Sequence, residues 1–538
     1  MPETAQDHSL DSVLKQIGDF GKYQLFVFSV VIFGVVLHSA VHNAFVFTAL
    51  DVSYRCAIPE CDHNGTTYEP DWLPAAVPYK NKNPEKCKRY EYTGVDGSCN
   101  PENFDQTKEI SCSSYVYQTK ELSILQEYHL QCEENLWKLT MVGTVNSIGQ
   151  FVGLFIGGFI SDKYGRKFLL IWGMIFCAVF GILRTFMPTY ELFLLFEFLD
   201  ATFGAGTYIC GFVLSVELVG PKKRVLTGIL SSSSYVLGEI FTAVAAWTTQ
   251  SWKPIIYILY SPIFLLISYI WLVPESVRWL LSKGRNEEAK QILRKAAKVN
   301  GRELSEQTLE KLTLSEEEKP TETSDIMKAM KSTTLTVRLV LCSFCWIVCT
   351  FQFYGLTLNS VALVAGNSYL DFMLTALVEI PGYAACRYLL VWFGRKKSLF
   401  GAYFLTGVAC GSFLLVPEDS HAGSLAVYLL GKFGATISFT LIYVHTSEMF
   451  PTKMRHTFMA ICSTLGRIGS MVAPQTPILA QLWNPLPFIT FMVVSWIAAF
   501  FSLFFPETSN IKLPDTIEEA ENIKQLRKLA EKEKETCT

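Results

Sequence analysis

Charge is scarce in this chain. Only 18% of its 538 residues are charged, whereas soluble proteins carry about 25%, and half of its residues are hydrophobic. This composition excludes an ordinary soluble protein. The first 20 residues lack the basic, apolar and cleavable pattern of a secretory signal, so the first hydrophobic segment is expected to remain in the protein. The basic patches of nucleic-acid-binding proteins are also missing, so nucleic acid is not an expected partner.

Catalytic patterns are missing as well. We find no Ser/His/Asp set, no phosphate-binding loop and no metal-ligand constellation, so the sequence does not predict an enzyme or a bound cofactor. His38 and His42 lie four residues apart on one predicted helix, but no third ligand is within sequence reach. A histidine pair alone does not predict a metal site.

Long apolar segments are abundant instead. Twelve of them approach the ~20 residues that a helix needs to cross ~30 Å of hydrocarbon. They lie at about 23–49, 138–160, 168–187, 190–214, 226–249, 254–273, 336–357, 370–392, 398–416, 424–445, 456–480 and 486–505. This pattern predicts an all-α membrane protein with twelve transmembrane helices in two groups of six, surrounded by the lipid bilayer.

The connecting loops differ in charge. "SDKYGRK" (161–167), "GPKKR" (220–224) and "GRKKS" (394–398) are basic, whereas "MPTY" (187–190) and "NPLP" (484–487) contain no Lys or Arg. Basic loops mark the cytoplasmic side of a membrane protein. We therefore predict a cytoplasmic N-terminus at 1–20, a first bundle at 21–273 and, within that bundle, an extracellular domain at 51–136. A cytoplasmic helical linker at 274–335 leads to a second bundle at 336–506, which is followed by a cytoplasmic tail at 507–538.

The extracellular loop is rich in cysteine. Its six cysteines are expected to form three disulfides in an oxidising compartment, with pairings that the sequence leaves open: Cys56, Cys61, Cys87, Cys99, Cys112 and Cys132. The sequon "NGT" at Asn64 predicts a glycan in the same loop.

An internal repeat relates the two groups of helices. "DKYGRK" corresponds to "VWFGRKKS", "ELVGPKKR" to "EMFPTKMR" and "PESVRW" to "PETSN", at offsets of 229 to 232 residues. Two six-helix halves related by a parallel repeat are typical of secondary transporters that work by alternating access.

These motifs also carry a family resemblance. "GGFISDKYGRK" (157–167), "PESVRWLLSKGR" (274–285) and "PETSNIKLPDTIEEAE" (506–521) resemble the major facilitator superfamily. The cysteine-rich loop, together with "YGLTLN" (354–359) and "SEMFPTKMR" (447–455), makes the chain more similar to its organic cation, carnitine and organic anion transporters. The chain departs from that pattern at Glu197, where an arginine is expected, and at His445, where an aromatic residue is usual. The resemblance implies a transporter, which we expect to be monomeric, in the plasma membrane.

The resemblance further implies a gate on the cytoplasmic side. Asp162 is expected to bond to a neighbouring helix end and hold this side closed. Charged residues of the repeated motifs are assigned to the same gate, with Glu217 and Arg224 matching Glu448 and Arg455: Arg166, Glu217, Arg224, Arg395, Glu448 and Arg455.

Three ionisable residues near the membrane centre share helix faces with polar side chains. Glu239 lies on a face with Ser232 and Tyr235, Glu379 with Tyr383, and Arg467 with Ser463 and Ser470. Polar stripes on apolar helices usually line a cavity. A pocket with both signs suits a substrate with an ammonium at one end and a carboxylate at the other. A closed internal salt-bridge network is the alternative, and Glu197 and Asp200 fit either an ionic or a structural role.

By resemblance, Arg467 corresponds to an arginine of carnitine-like and anion members, and Glu379 to the acid of cation and carnitine members. Five aromatic residues carried over by position complete the predicted substrate site: Tyr208, Tyr235, Phe353, Phe439 and Tyr443. We therefore predict a transporter of small organic zwitterions or cations, similar to carnitine, β-alanine or carcinine. The alternatives are an organic anion exchanger and a receptor that uses the extracellular domain. A coupling ion, Na⁺ or H⁺, stays open, with Glu197, Glu239 and His445 as possible sites.

Overall fold

Helices dominate the structure, a computed structural model that describes residues 10–62, 67–80, 83–94, 99–310, 328–362, 367–417, 420–509, 511, 513–523 and 525. Ten of the described helices are long and apolar enough to cross a membrane. They are α1 (Lys22–Thr48), α2 (Glu133–Tyr164), α3 (Arg166–Phe186), α4 (Tyr190–Glu217), α5 (Leu226–Thr249), α6 (Trp252–Leu272), α7 (Thr333–Val361), α8 (Ser368–Trp392), α9 (Gly394–Leu415) and α10 (His421–Met449). Two further helices, α11 (Arg455–Val472) and α12 (Leu486–Ser502), complete the twelve predicted spans.

Local sequence explains where these helices begin and break. The side chain of Thr189 accepts a hydrogen bond from Leu192 N at the start of α4, and Asn367 caps α8 in the same way. Pro474 lies just after α11, where the backbone tightens into a 3-10 turn before a short helix at Thr476–Leu482. Proline cannot donate the hydrogen bond that a continuous helix requires at this point.

Helices within each half approach closely where glycine removes the side chain. A Cβ atom added at Gly153 of α2 would lie only 2.1 Å from the carbonyl oxygen of Thr202 in α4. This contact leaves room for no larger residue.

The segment between α1 and α2, residues 49–132, forms a small domain that we call the loop domain. Among its described residues are three two-stranded antiparallel sheets. These pair β1 (Tyr54–Cys56) with β6 (Tyr115–Tyr117), β2 (Tyr79–Lys80) with β3 (Asn83–Pro84), and β4 (Lys88–Tyr92) with β5 (Phe104–Ser111).

The predicted disulfides are present and their pairing is defined. Cys56 pairs with Cys112, Cys61 with Cys99, and Cys87 with Cys132. Beside them, the buried Arg55 makes two hydrogen bonds to the carboxylate of Asp62, at 2.7 and 2.8 Å. The predicted glycosylation site Asn64 lies outside the described residues.

The two ends of the helix bundle are distinct. We call the end that carries the loop domain the loop-domain end, and the opposite end, with the "GRK" motifs, the basic end. At the loop-domain end, hydrogen bonds join the two halves: Thr140 Oγ1 donates to Gln475 Oε1 (2.9 Å), and Thr144 Oγ1 and Ser147 Oγ donate to backbone oxygens of α11 (2.9 and 3.0 Å). The halves are therefore held together at this end.

Candidate functional site

An uninterrupted series of rings crosses the interface between the halves. Neighbouring ring centroids lie between 4.6 and 6.2 Å apart. The members, in order, are Tyr208, Tyr235, His42, Tyr354, Phe353, Phe439 and Tyr443. The structure thus brings together all five aromatic residues predicted for the substrate site. His42 and Tyr354 connect the rings of the first half to those of the second half.

Glu379 of α8 is paired with a lysine that the sequence analysis did not single out. Lys432 Nζ of α10 lies 2.8 Å from Glu379 Oε1, and both side chains are completely buried. The ammonium of Lys432 also donates hydrogen bonds to Phe353 O (3.1 Å) and Thr357 Oγ1 (2.6 Å). The ammonium also lies 3.6 Å from the centre of the Phe353 ring. Tyr383 OH donates to the other carboxylate oxygen of Glu379 at 2.9 Å.

Glu239 of α5 is a second buried carboxylate near Glu379 and Lys432. It is 1% exposed, and its Oε2 has no hydrogen-bond partner among the described residues. Glu239 interacts electrostatically with both Glu379 and Lys432. A single lysine therefore serves two buried carboxylates, and it lies against Glu379.

Arg467 of α11 has a different environment. Its side chain is half-buried, and among the described residues it has no ion-pair partner. It lies close enough to His42 and Tyr443 to act on both electrostatically. The alternative of a closed salt-bridge network around Arg467 does not match this arrangement, because the partner of Glu379 is Lys432.

Glu197 and Asp200 belong to a separate buried cluster inside the first half. Both carboxylates contact Arg184 of α3, and Asn146 Nδ2 donates to Glu197 at 2.8 Å. Tyr260 OH donates to Asp200. These contacts engage both acids inside the first half, which favours a structural role over an ionic one, and Arg184 supplies a positive charge next to Glu197, where the family pattern led us to expect an arginine.

The histidines named from the sequence form no metal centre in the described part of the chain. His38 Nδ1 lies 2.9 Å from Thr207 Oγ1, and His42 Nδ1 lies 2.8 Å from Gln150 Nε2. His445 is buried in α10, with Nε2 2.9 Å from the backbone oxygen of Pro506. Each histidine thus contacts an ordinary hydrogen-bonding group.

The basic end contains one capping arrangement in each half. Glu275 accepts hydrogen bonds from the backbone N–H groups of Arg166 and Lys167 at the start of α3. Glu507 does the same for Arg395 and Lys396 at the start of α9. Acidic groups are favoured at helix N-termini, where backbone N–H groups are unpaired. The repeated "PES" (274–276) and "PET" (506–508) motifs of the sequence contain these two capping glutamates.

A glycine stands at the start of each capped helix: Gly165 directly precedes α3, and Gly394 is the first residue of α9. Gly165 and Gly394 have φ values of +106° and +80°, a region that favours glycine. A Cβ atom at either position would lie 2.1 or 2.7 Å from the capping carboxylate of Glu275 or Glu507. Both glycines are therefore required by backbone conformation and by the close carboxylate.

Two predicted contacts of the gate differ in the structure. The Asp162 side chain is 76% exposed and pairs with Arg166 one turn away, at 3.3 Å, so the carboxylate that caps a neighbouring helix end is Glu275. Asp162 lies at the end of α2 and faces outward. Glu448 pairs with Arg395 (2.9 Å) and accepts from Thr508 Oγ1 (2.6 Å).

The remaining gate residues contact groups that the sequence analysis did not name. Glu217 accepts from Ser276 Oγ, and Arg455 donates to Thr452 Oγ1 at 3.2 Å. Arg224 makes two hydrogen bonds to Asp11 in the N-terminal helix Leu10–Gln16. The pKa of Asp11 is lowered, mainly by the hydrogen bond from Arg224.

A cavity of about 1150 Å³ opens beneath the loop domain, between the two halves. Its lining includes Lys86, Glu121, Trp247, Asn359 and Tyr369. The rings of Tyr369 and Trp247, both in its lining, are stacked with centroids 6.2 Å apart, and Tyr369 OH donates to Glu121. Tyr369 and Trp247 belong to opposite halves, so the halves also touch in the lining of this cavity.

Known proteins share both the sequence and the fold. The Major Facilitator Superfamily profile matches residues 120–474. An organic cation transporter protein of Drosophila melanogaster is 31% identical, over 95% of this chain and 94% of its own length. Solute carrier family 22 member 3 of Mus musculus is 30% identical over 98% of both chains. Among solved structures, the inward-open xylose transporter XylE from E. coli covers 93% of this chain and 99% of its own, with a TM-score of 0.62 and 16% identity.

Proposed function

The chain belongs to the Major Facilitator Superfamily and, within it, to solute carrier family 22, and on this basis we propose that it carries small organic zwitterions and cations across the plasma membrane. It is a multi-pass membrane transporter and not an enzyme. The proposed substrates resemble carnitine, β-alanine or carcinine, and the proposed working unit is a monomer that functions by alternating access.

One observation supports the zwitterion proposal above the others. The interface between the halves contains two charges of opposite sign without an ion-pair partner in the described residues. They are Arg467, which acts electrostatically on His42 and Tyr443, and Glu239, which acts on Tyr235. Lys432 and Glu379 balance each other. A substrate with one ammonium and one carboxylate leaves such a site electrically neutral.

The chemistry of the side chains suits the two ends of this substrate. Arg467 offers a planar fork of N–H donors that matches a carboxylate with two parallel hydrogen bonds. Glu239 and the faces of Tyr208 and Tyr235 suit an ammonium, since aromatic faces attract cations by ~0.5–2 kcal/mol each. The centroids of these two tyrosine rings lie 5.6 Å apart, and Tyr235 interacts electrostatically with Glu239.

An organic anion exchanger is the second candidate, favoured by the two cations Lys432 and Arg467. The contact of Lys432 with Glu379 weighs against it, because this pair leaves Arg467 as the only cation of the site without a counter-charge in the described residues. Within the described residues, one arginine and one acid, Glu239, have no ion-pair partner, and this combination suits a zwitterion better than a simple anion.

The proposed orientation places the loop domain outside the cell and the basic end in the cytoplasm. Three disulfides support this, since such bonds persist in oxidising compartments. The basic loops support it independently. With the halves joined at the loop-domain end, the structure then represents a state closed to the outside.

Uptake of radiolabelled compounds into expressing cells tests the proposal. The panel contains carnitine, β-alanine, carcinine, tetraethylammonium and a carboxylate without an amine, each compared with cells that lack the protein. We expect saturable uptake of at least one zwitterion and mutual competition between zwitterions. Uptake restricted to the amine-free carboxylate would support the anion exchanger instead, and uptake of none would contradict both candidates.

A further inference from the structure

Glu239 is the acidic group whose charge the structure leaves unbalanced. Its carboxylate is 1% exposed, Oε2 has no hydrogen-bond partner in the described residues, and the nearby lysine contacts Glu379. A buried carboxylate without a partner is costly to keep ionised, and far more so at the centre of a membrane protein. In the empty site, a proton on Glu239 removes this cost.

The groups around Glu239 do not supply the missing counter-charge. From α8, Glu379 and Tyr383 face it, and Glu379 repels a negative charge. From α10, Lys432 faces it but already pairs with Glu379 at 2.8 Å. A further polar ring comes from α5 itself: Tyr235, whose neighbours in the aromatic series are Tyr208 of α4 and His42 of α1. None of these rings carries a full positive charge in contact with Glu239.

We infer that Glu239 is a proton-exchange site at which the ammonium of the substrate replaces a proton, so that uptake of substrate is coupled to outward movement of a proton. This inference rests on the proposed function, and it adds the coupling ion and the residue that binds it. The reason is charge balance. The transporter carries substrate inward when Glu239 is paired with the ammonium, and it returns without substrate when Glu239 is protonated.

The exchange is balanced at each side of the membrane. On the outer side, the O–H bond of Glu239 breaks as the ammonium arrives, and the proton passes to water. On the inner side, the ammonium leaves and the carboxylate takes a proton from water. Each cycle therefore moves one substrate inward and one proton outward. The transporter does not change between its two conformations while Glu239 is ionised and no substrate is bound.

Two substrates without an exchangeable ammonium proton make the test sharp. Carnitine and tetraethylammonium both carry quaternary ammonium groups, so any proton movement must come from the transporter. Cells expressing the protein are voltage-clamped while tracer uptake and intracellular pH are recorded. We expect alkalinisation of the cytoplasm with either transported probe. Carnitine, a neutral zwitterion, should give an outward current, whereas tetraethylammonium, a cation, should give none.

Variants of Glu239 test whether this residue carries the exchanged proton. Glu239→Gln resembles the protonated acid in shape and cannot exchange a proton, so residual uptake of carnitine should lose its alkalinisation and its outward current. Glu239→Asp keeps a titratable group and should retain both in proportion to its uptake. Glu109→Gln makes the same chemical change in an exposed ion pair of the loop domain and should leave the proton-to-substrate ratio unchanged.

The outcomes separate this inference from the proposed function. Uptake of a zwitterion without alkalinisation, or uptake that requires sodium and moves no proton, would overturn proton exchange while leaving the substrate class intact. Alkalinisation that persists in Glu239→Gln at equal surface expression would overturn the assignment to Glu239. Failure to take up any probe of the panel would overturn the proposed function itself.

Discussion

Arg467 is a permanent cation in the middle of a membrane helix, half-buried and without an ion pair in the described residues. If it binds the substrate carboxylate, Arg467→Lys keeps the charge but loses the paired donors, and we expect roughly tenfold weaker uptake of zwitterions. Arg467→Asp reverses the charge and should abolish zwitterion uptake while sparing tetraethylammonium. Tracer uptake at matched surface expression measures both effects.

The two substrates serve as controls for each other in this experiment. Equal loss of zwitterions and of carboxylate-free cations in both variants would mean that Arg467 supports the packing of the halves rather than the substrate. Retained carnitine uptake in Arg467→Asp would contradict the carboxylate contact directly.

Lys432 allows a second test of a single residue, in which the stability of the protein is measured instead of its transport activity. Lys432→Met removes one partner of a fully buried ion pair and leaves Glu379 without its counter-charge. Breaking such pairs typically costs ~3–5 kcal/mol. We therefore expect a clear drop in the thermal unfolding temperature of the detergent-purified protein.

The double variant Lys432→Met with Glu379→Gln removes both charges and should recover much of the lost stability. If the double variant is as unstable as the single one, the lysine contributes by packing on Phe353, not by pairing with Glu379.

Lys432 also shows where sequence reasoning stops. Its neighbours in "LLGKFGATI" are apolar, and its partner Glu379 lies 53 residues earlier in the chain, so no local pattern links them. Arg184 escaped notice for the same reason, although Glu197 had already been recognised as unusual. The sequence shows which residues are charged, but which of them form ion pairs depends on how the helices pack.

At the scale of the elements, Gly165 and Gly394 lie at the start of equivalent helices, and both have positive φ values. Gly165→Ala forces a side chain into the left-handed region, which costs roughly 1–2 kcal/mol, and places its Cβ 2.1 Å from Glu275. We expect lower thermal stability and a weaker link between α2 and α3. Purified protein in a thermal-shift assay reports the first effect.

Gly158 of α2 provides the matched control, since no atom outside its own helix lies within 4 Å of a Cβ at that position. Gly158→Ala should be neutral or slightly stabilising, because alanine is the better helix former. A similar loss of stability in both variants would show that the turn at Gly165 tolerates a side chain.

The helices were the most predictable part of the molecule. Each span could be recognised from one apolar run, because such a run depends on neighbouring residues only. The repeated "GRK" and "PE" motifs were visible as well, but each cap joins residues 109 or 112 positions apart in the chain, so the sequence analysis did not pair them. The role of Asp162 depended instead on how separate helices meet. The structure places that carboxylate in an exposed pair with Arg166 and gives the cap to Glu275.

At the scale of the whole molecule, transport by alternating access requires the contacts at the loop-domain end to separate. Thr140 and Gln475 come from opposite halves and are joined by a 2.9 Å hydrogen bond. A bifunctional maleimide that links Thr140→Cys to Gln475→Cys should stop uptake, because the halves then cannot part. Tracer uptake before and after treatment measures the effect.

Each single cysteine variant treated with the same reagent is the control and should keep most of its activity. Full uptake in the cross-linked double variant, with linkage confirmed by mass spectrometry, would mean that this end of the molecule does not open during the cycle.

The attachment of the loop domain has a pharmacological consequence. Leu122 forms backbone hydrogen bonds with Gln250 and Trp252 of the first half, whereas Tyr369 of the second half reaches the loop domain through Glu121. Under the proposed orientation both regions face the extracellular medium. An antibody fragment that binds the loop domain alone would travel with the first half and leave turnover unaffected. One that spans the loop domain and the start of α8 would arrest the transporter without resembling its substrate, so its inhibition would persist at any substrate concentration.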